Sequence, residues 1–133
     1  MYRGKGYCEK RQCNEREVHG LNVFYTNSRS IISKIDTLRG IACVEELDII
    51  GITETWLDIA GKHFLPQVGI DGYTFYHKDR EGRKGGGVAL YVRNTLNSSV
   101  NTTIKTDGNT ESLWIDVIVG GKKLIVGIIG LQI

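Results

Sequence analysis

Asp48-Ile-Ile-Gly-Ile-Thr-Glu54 is the stretch on which the reading of this chain turns. Its middle is apolar without alternation, the pattern of a strand covered on both faces. A carboxylate closes it, and Thr55-Trp56-Leu57 follows at once. An ionised side chain leaves water only at high cost, so Glu54 belongs where the strand opens into a cleft and a cation or hydrogen bonds receive it. The carboxyl ends of strands are where open α/β sheets bind ligands. On this segment alone, a Glu54 lying one residue past the strand in solvent fits equally well.

Upstream, Leu21 to Tyr25 is a short β-type run ended by Thr26-Asn27-Ser28. Ser28 or Ser30 can cap a following helix in which Ile31, Ile35, Leu38 and Ala42 fall on one face. Gly40 inside that pattern costs about 1 kcal/mol relative to Ala and weakens the last turn. Strand, helix and second strand in this order make a parallel pair with the helix packed on one side. Asn27 and Glu54 then end neighbouring strands and point the same way. A carboxylate and a neutral amide at one sheet edge suit Mg²⁺, which keeps several waters and needs only one or two carboxylates. Such a metal polarises a phosphate. By spacing alone, a turn or cap role is the simpler account of Asn27.

Downstream, Ile59 to Asp71 reads as a long irregular loop holding the only proline, Pro66. Tyr73 to His77 and Val88 to Val92 form the arms of a long-looped hairpin. Its loop gathers Lys78, Arg80, Arg83 and Lys84 against Asp79 and Glu81. Arg80, Arg83 and Lys84 are candidates for contact with a nucleic-acid backbone, and a solvated loop tip is the alternative. Asn94 to Thr110 reads as an exposed loop. Leu113 to Val119 and Leu124 to Ile129 flank Gly120-Gly121-Lys122-Lys123, a second hairpin whose apolar arms belong in a sheet covered on both faces. Residues 1–20 lack apolar periodicity and read as a flexible leader, which leaves 21–133 as one domain.

At 133 residues and 41% hydrophobic, the chain has the composition and length of one folded core. The net charge of +2 comes entirely from the first 20 positions, so the body gives little long-range pull on nucleic acid and any affinity must be local. Cys8, Cys13 and Cys43 are an odd set, which argues against a disulfide framework and for a reducing compartment. Cys8, Cys13 and His19 do not complete a tetrahedral zinc set. No apolar stretch is long enough to span a bilayer, and the polar start is no secretory signal, so an intracellular protein without a membrane partner is expected. The sequons at Asn97 and Asn101 then read as chance matches. There is no nucleophile elbow and no His-Glu-x-x-His; Gly85-Gly-Gly87 lacks the lysine and hydroxyl that close a phosphate loop. His19, His63 and His77 occupy unrelated contexts, and Trp56 and Trp114 read as core or edge aromatics.

Together these segments resemble the endonuclease/exonuclease/phosphatase superfamily, in particular the endonuclease domain of non-LTR (LINE-type) retrotransposons. Asn27-Ser-Arg-Ser-Ile-Ile-Ser-Lys-Ile-Asp-Thr-Leu38, Asp48 to Leu57 and Lys84-Gly-Gly-Gly-Val-Ala-Leu-Tyr-Val-Arg93 carry the match. Glu111-Ser-Leu-Trp-Ile-Asp-Val117 and Leu124-Ile-Val-Gly-Ile-Ile129 continue it in order. The resemblance implies a DNase I-like four-layer α/β sandwich, present here in part, with a mixed sheet built from the β-α-β unit and two hairpins. It also implies Mg²⁺-dependent cleavage of DNA phosphodiesters, with Glu54 as metal ligand and Asn27 organising the metal or the phosphate.

The chain also departs from the resemblance. After Ile129 the family continues into a Tyr-Arg-Pro-Pro segment, an Asp-x-Asn pair and a Ser-Asp-His set that supplies the general base; Gly130-Leu-Gln-Ile133 stands there instead. Loss of a general base removes typically a 10²- to 10⁴-fold contribution. A truncated endonuclease domain, inactive alone, is therefore expected. A non-catalytic remnant that binds nucleic acid or a partner is the alternative, as is the product of a decayed element that associates through an uncovered sheet.

Overall fold

Ile49–Thr53 forms strand β2 and is buried at all five positions, as its unbroken apolar run requires. The computed structural model describes residues 20–57, 62–82, 84–106 and 110–130; most of the expected leader and the side chain of Arg83 lie outside them. β1 (Val23–Asn27) pairs with β2 in parallel. β4 (Val88–Arg93) pairs antiparallel with the other edge of β2, and β3 (Tyr73–Lys78) completes a sheet in the order β1-β2-β4-β3.

Helix α1 (Ile31–Val44) is the crossover between the parallel strands and buries Ile31, Ile35, Leu38 and Ala42, the four residues its spacing selects. They pack with Ile50, Ile52, Ala89 and Tyr91 on one face of the sheet. The opposite face carries Ile49, Val88, Leu90 and Val92, which meet Leu113, Ile115, Val117 and Ile128 of a second sheet. At Gly51 a Cβ would lie 3.1 Å from Ile128 Cδ1, so the absent side chain lets the two sheets approach. Burying both faces of β2 and β4 is what makes their sequences apolar throughout.

The second sheet is antiparallel, β5-β6-β7, with β5 at Asn97–Val100, β6 at Glu111–Val119 and β7 at Lys122–Gly130. This corrects the expectation of one mixed sheet. Both edges of β4 are already paired, to β2 and β3, so the second hairpin packs face to face on the first sheet. β5 corrects the expected loop over 94–110. Asn-Ser-Ser-Val carries no strand propensity, and it is held by pairing with β6 and by Asn101. The Asn101 amide donates to Asp116 Oδ1 at 2.7 Å and its Oδ1 accepts from Thr103 and Ile104. Within the expected loop 59–71, Lys62–Val68 forms a 3₁₀ helix containing Pro66. Arg39 of α1 holds its end, donating to the carbonyls of Gln67 and Gly69 at 2.8 Å.

β7 does not meet the expectation of two covered faces: Leu124 is 41%, Ile125 51% and Ile129 50% exposed. Among the described residues no helix is long and apolar enough to cross a membrane.

Candidate active site

The register of the first sheet builds the site. Asn27 pairs with Thr53 across the parallel strands, so Glu54 leaves β2 beside the end of β1. Buried Ser28 joins the two tips: its N–H donates to the Thr53 carbonyl and its Oγ to the Glu54 carbonyl, each at 2.9 Å. Ser30 N–H donates to the Glu54 carbonyl at 2.9 Å and Ile31 N–H to the Thr55 carbonyl at 3.0 Å. A helix cannot satisfy its own first N–H groups. Here the tip of β2 satisfies them, which is why Ser30 occupies the N-cap position without a side-chain capping bond.

The glycine-rich loop before β4 grips the other side of the same tip. Thr55 N–H donates to the Gly87 carbonyl at 3.3 Å and Trp56 N–H to the Gly86 carbonyl at 2.9 Å. Gly85, Gly86 and Gly87 all have left-handed backbone, with φ of 90, 64 and 88°. Glycine takes that conformation freely; other residues do not. Yet Glu54 sits at φ 53° and Trp56 at φ 55°, and Arg29 and Ser30 at 45° and 95°. Conformations of this kind cost of order 1–3 kcal/mol each and persist only where the surroundings over-determine them. The hydrogen bonds on both sides of Glu54 do so.

Asn27 is exposed, and its Oδ1 accepts the Arg29 N–H at 3.3 Å, so it does serve the turn. That bond leaves the oxygen a second lone pair. Glu54 is half-buried, and among the described residues no hydrogen bond or ion pair engages its carboxylate. Among the described residues there is also no group of three or more His, Cys, Asp or Glu side chains able to hold a metal ion. An all-oxygen pair with one carboxylate fits a hydrated Mg²⁺, which brings its own waters, and does not fit a zinc ion needing three or four protein ligands.

Of the basic residues in the first hairpin loop, Arg80 does not present a free cation. Its Nε is bonded to Glu111 Oε1, and Glu111, 4% exposed, accepts the Gly87 N–H on Oε2 at 3.0 Å. Lys84 is exposed to solvent. Arg83 lies outside the described residues. His77 Nδ1 pairs with Asp79 at 3.0 Å, two strands from β2 at the same end of the sheet, since His77 lies opposite Ala89 and Ala89 opposite Ile52.

Residues 20–129 match the endonuclease/exonuclease/phosphatase family. The chain belongs to that family. Among solved structures, it is similar to humanized D. rerio TDP2 carrying 14 mutations, with TM-score 0.53 and 15% identity over 80% of this chain and 48% of that one. Similar too is D. rerio TDP2 complexed with single strand DNA product, with TM-score 0.52 and 14% identity over 80% and 44%. Truncated Caenorhabditis elegans TDP2 gives TM-score 0.52 and 16% identity over 84% and 46%. At such identities the likeness is one of fold, and the chain spans a little under half the length of each structure. No curated protein matches.

Sequence reasoning named Asn27 and Glu54 and missed the apparatus around them. In the sequence alone Ser28 has the pattern of a cap, Gly85 to Gly87 of a hairpin turn, and Glu111 of part of a strand. The available signal was at Glu111, a charge opening an apolar run in mirror image of Glu54 closing one.

Proposed function

We propose that this chain supplies the metal-holding edge of a Mg²⁺-dependent site that acts on DNA phosphodiesters. The register that sets Asn27 against Thr53 supports the reading, because it brings the backbone of Asn27 and of Glu54 to neighbouring strand ends at one sheet edge. Strained backbone at Glu54, held from both sides, supports it. Glu54 would ligate the ion and Asn27 would orient either its water shell or the phosphate. Bound Mg²⁺ would withdraw charge from the phosphate oxygens. Exposed Lys84, with Arg83, would meet the nucleic-acid backbone, and Arg80 is assigned to the fold.

The wider setting is a DNase I-like four-layer sandwich from a LINE-type retrotransposon, supported by the five segments whose order matches that group. The D. rerio TDP2 neighbour bound to a single strand DNA product supports DNA as the ligand class. Neither Asn27 nor Glu54 is suited to be the general base, so nicking by this polypeptide alone is expected to be slow. The decisive assay is therefore retention of a short DNA duplex on a filter, with and without Mg²⁺. Retention should rise with Mg²⁺ and lose that response in Glu54→Gln. A Mg²⁺ response of equal size in Glu54→Gln, or none in the native chain, would overturn the proposal.

A further inference from the structure

Glu111 and Arg80 lie outside the strand tips, yet one chain of bonds leads from them to Glu54. The Glu111 carboxylate takes the Arg80 guanidinium on Oε1 and the Gly87 N–H on Oε2. The guanidinium occupies the space that a Cβ at Gly86 would need, and its Nη1 would lie 3.9 Å from a Cβ at Gly85. Gly87 and Gly86 present their carbonyls to Thr55 and Trp56 respectively. A Cβ at Gly87 would overlap Thr55 Oγ1, so only glycine lets the loop approach the β2 tip this closely. Glu54 is the next residue, in a left-handed conformation it would not hold unaided.

We infer that Glu111, through Arg80 and the Gly86–Gly87 backbone, is a positioning residue that fixes the direction in which the Glu54 carboxylate leaves β2. The inference rests on the role of Glu54 proposed above. A buried carboxylate paired with a guanidinium is a costly way merely to close a hairpin loop, because both charges leave water. Its geometry is explained by what it holds. One oxygen fixes the cation, the other fixes the amide of Gly87, and the carbonyls of Gly86 and Gly87 supply the two acceptors that the β2 tip lacks a strand partner to provide. The pair is separated by 31 residues in sequence, so it also ties the first hairpin loop to the start of β6.

Amide hydrogen exchange of the metal-free chain reads the positioning directly. Glu111→Gln keeps an acceptor for Gly87 N–H and removes the charge that holds Arg80, and Arg80→Lys provides a second variant that keeps the charge but not the planar fork. In both, Thr55 and Trp56 should exchange about tenfold faster relative to Ile50 in the sheet core. Equal acceleration at all three residues, or no change at Thr55 and Trp56, would overturn the inference and mark the pair as ordinary scaffold. In parallel, Mn²⁺ is titrated into native chain, Glu111→Gln and Glu54→Gln, and its affinity is read from amide line broadening. Weaker Mn²⁺ binding by folded Glu111→Gln supports the inference; equal affinity counts against it. Mn²⁺ binding unaltered in Glu54→Gln would instead remove the proposed function, and the exchange result would still decide the positioning.

Discussion

Left-handed backbone is distributed differently at the strand tips of the first sheet and at the hairpin turn of the second. At the tips of β1 and β2 it falls on Arg29, Ser30, Glu54 and Trp56, whereas the turn between β6 and β7 assigns it to Gly120 and Gly121, with φ of 56 and 77°. The β6–β7 turn is relaxed and needs nothing around it; no atom lies within 4 Å of a Cβ built at either glycine. The tips are strained and are gripped by Ser28, Ser30, Gly86 and Gly87. Strain on residues that keep their side chains marks a place where the side chain is needed. The hairpin has no such need, and it is built as isolated hairpins are.

The contrast can be broken most forcefully at Glu111. Glu111→Ala leaves Arg80 buried without its partner and should lower stability by about 3–5 kcal/mol in urea unfolding. A loss under about 1 kcal/mol would mean that the tips are not held from this side. At the relaxed turn, Gly120→Ala should cost about 1–2 kcal/mol, purely from forcing a Cβ into left-handed backbone. Glu54→Gly goes the other way. It releases the strain and should raise stability by about 1 kcal/mol while abolishing Mg²⁺ binding, the trade expected where function and stability compete. A destabilised Glu54→Gly would show that the backbone there is not under tension.

The two sheets also differ in how they should respond to pH. Tyr91, on the helix side of the first sheet, donates its hydroxyl to the Val68 carbonyl at 2.6 Å, and burial holds its pKa well above the tyrosine range. A folded pKa raised above the unfolded one gives stability that is complete below the unfolded value and is lost as pH rises past about 10. Asp116, on the second sheet, is lowered by the Asn101 hydrogen bond first and by Lys123. Its contribution is complete above the unfolded pKa and is lost as pH falls below about 4. Tyr91→Phe should therefore flatten the alkaline limb of the stability profile and Asp116→Asn the acid limb, measured as thermal midpoint against pH. Flattening of neither limb would detach these groups from the two sheets' stability. These are the smallest of the expected effects, since Asp116 pairs with an exposed lysine.

Much of the first sheet was legible in the chain because its burial is periodic or complete. Ile31, Ile35, Leu38 and Ala42 mark one helical face, and Ile49 to Ile52 carries no polar side chain. The parallel pairing followed from order alone, and with it the adjacency of Asn27 and Glu54. β5 was not legible, since Asn97-Ser-Ser-Val100 is strand only by virtue of its partner. Nor was the division into two sheets, which depends on which edges of β4 are occupied. The Arg80–Glu111 pair was hidden for a different reason. Both residues look like surface charges until a contact between distant segments buries them, and no local pattern encodes that.

The central claim is that the tips of β1 and β2 jointly hold a hydrated divalent ion. A Mg²⁺ titration followed by backbone amide chemical shifts tests it most directly. The account predicts saturable shifts centred on Asn27, Ser28, Glu54 and Thr55, absent in Glu54→Gln with the fold retained. Shifts centred instead on Asp116 and the β6–β7 hairpin, or shifts at the tips that survive in Glu54→Gln, would contradict it.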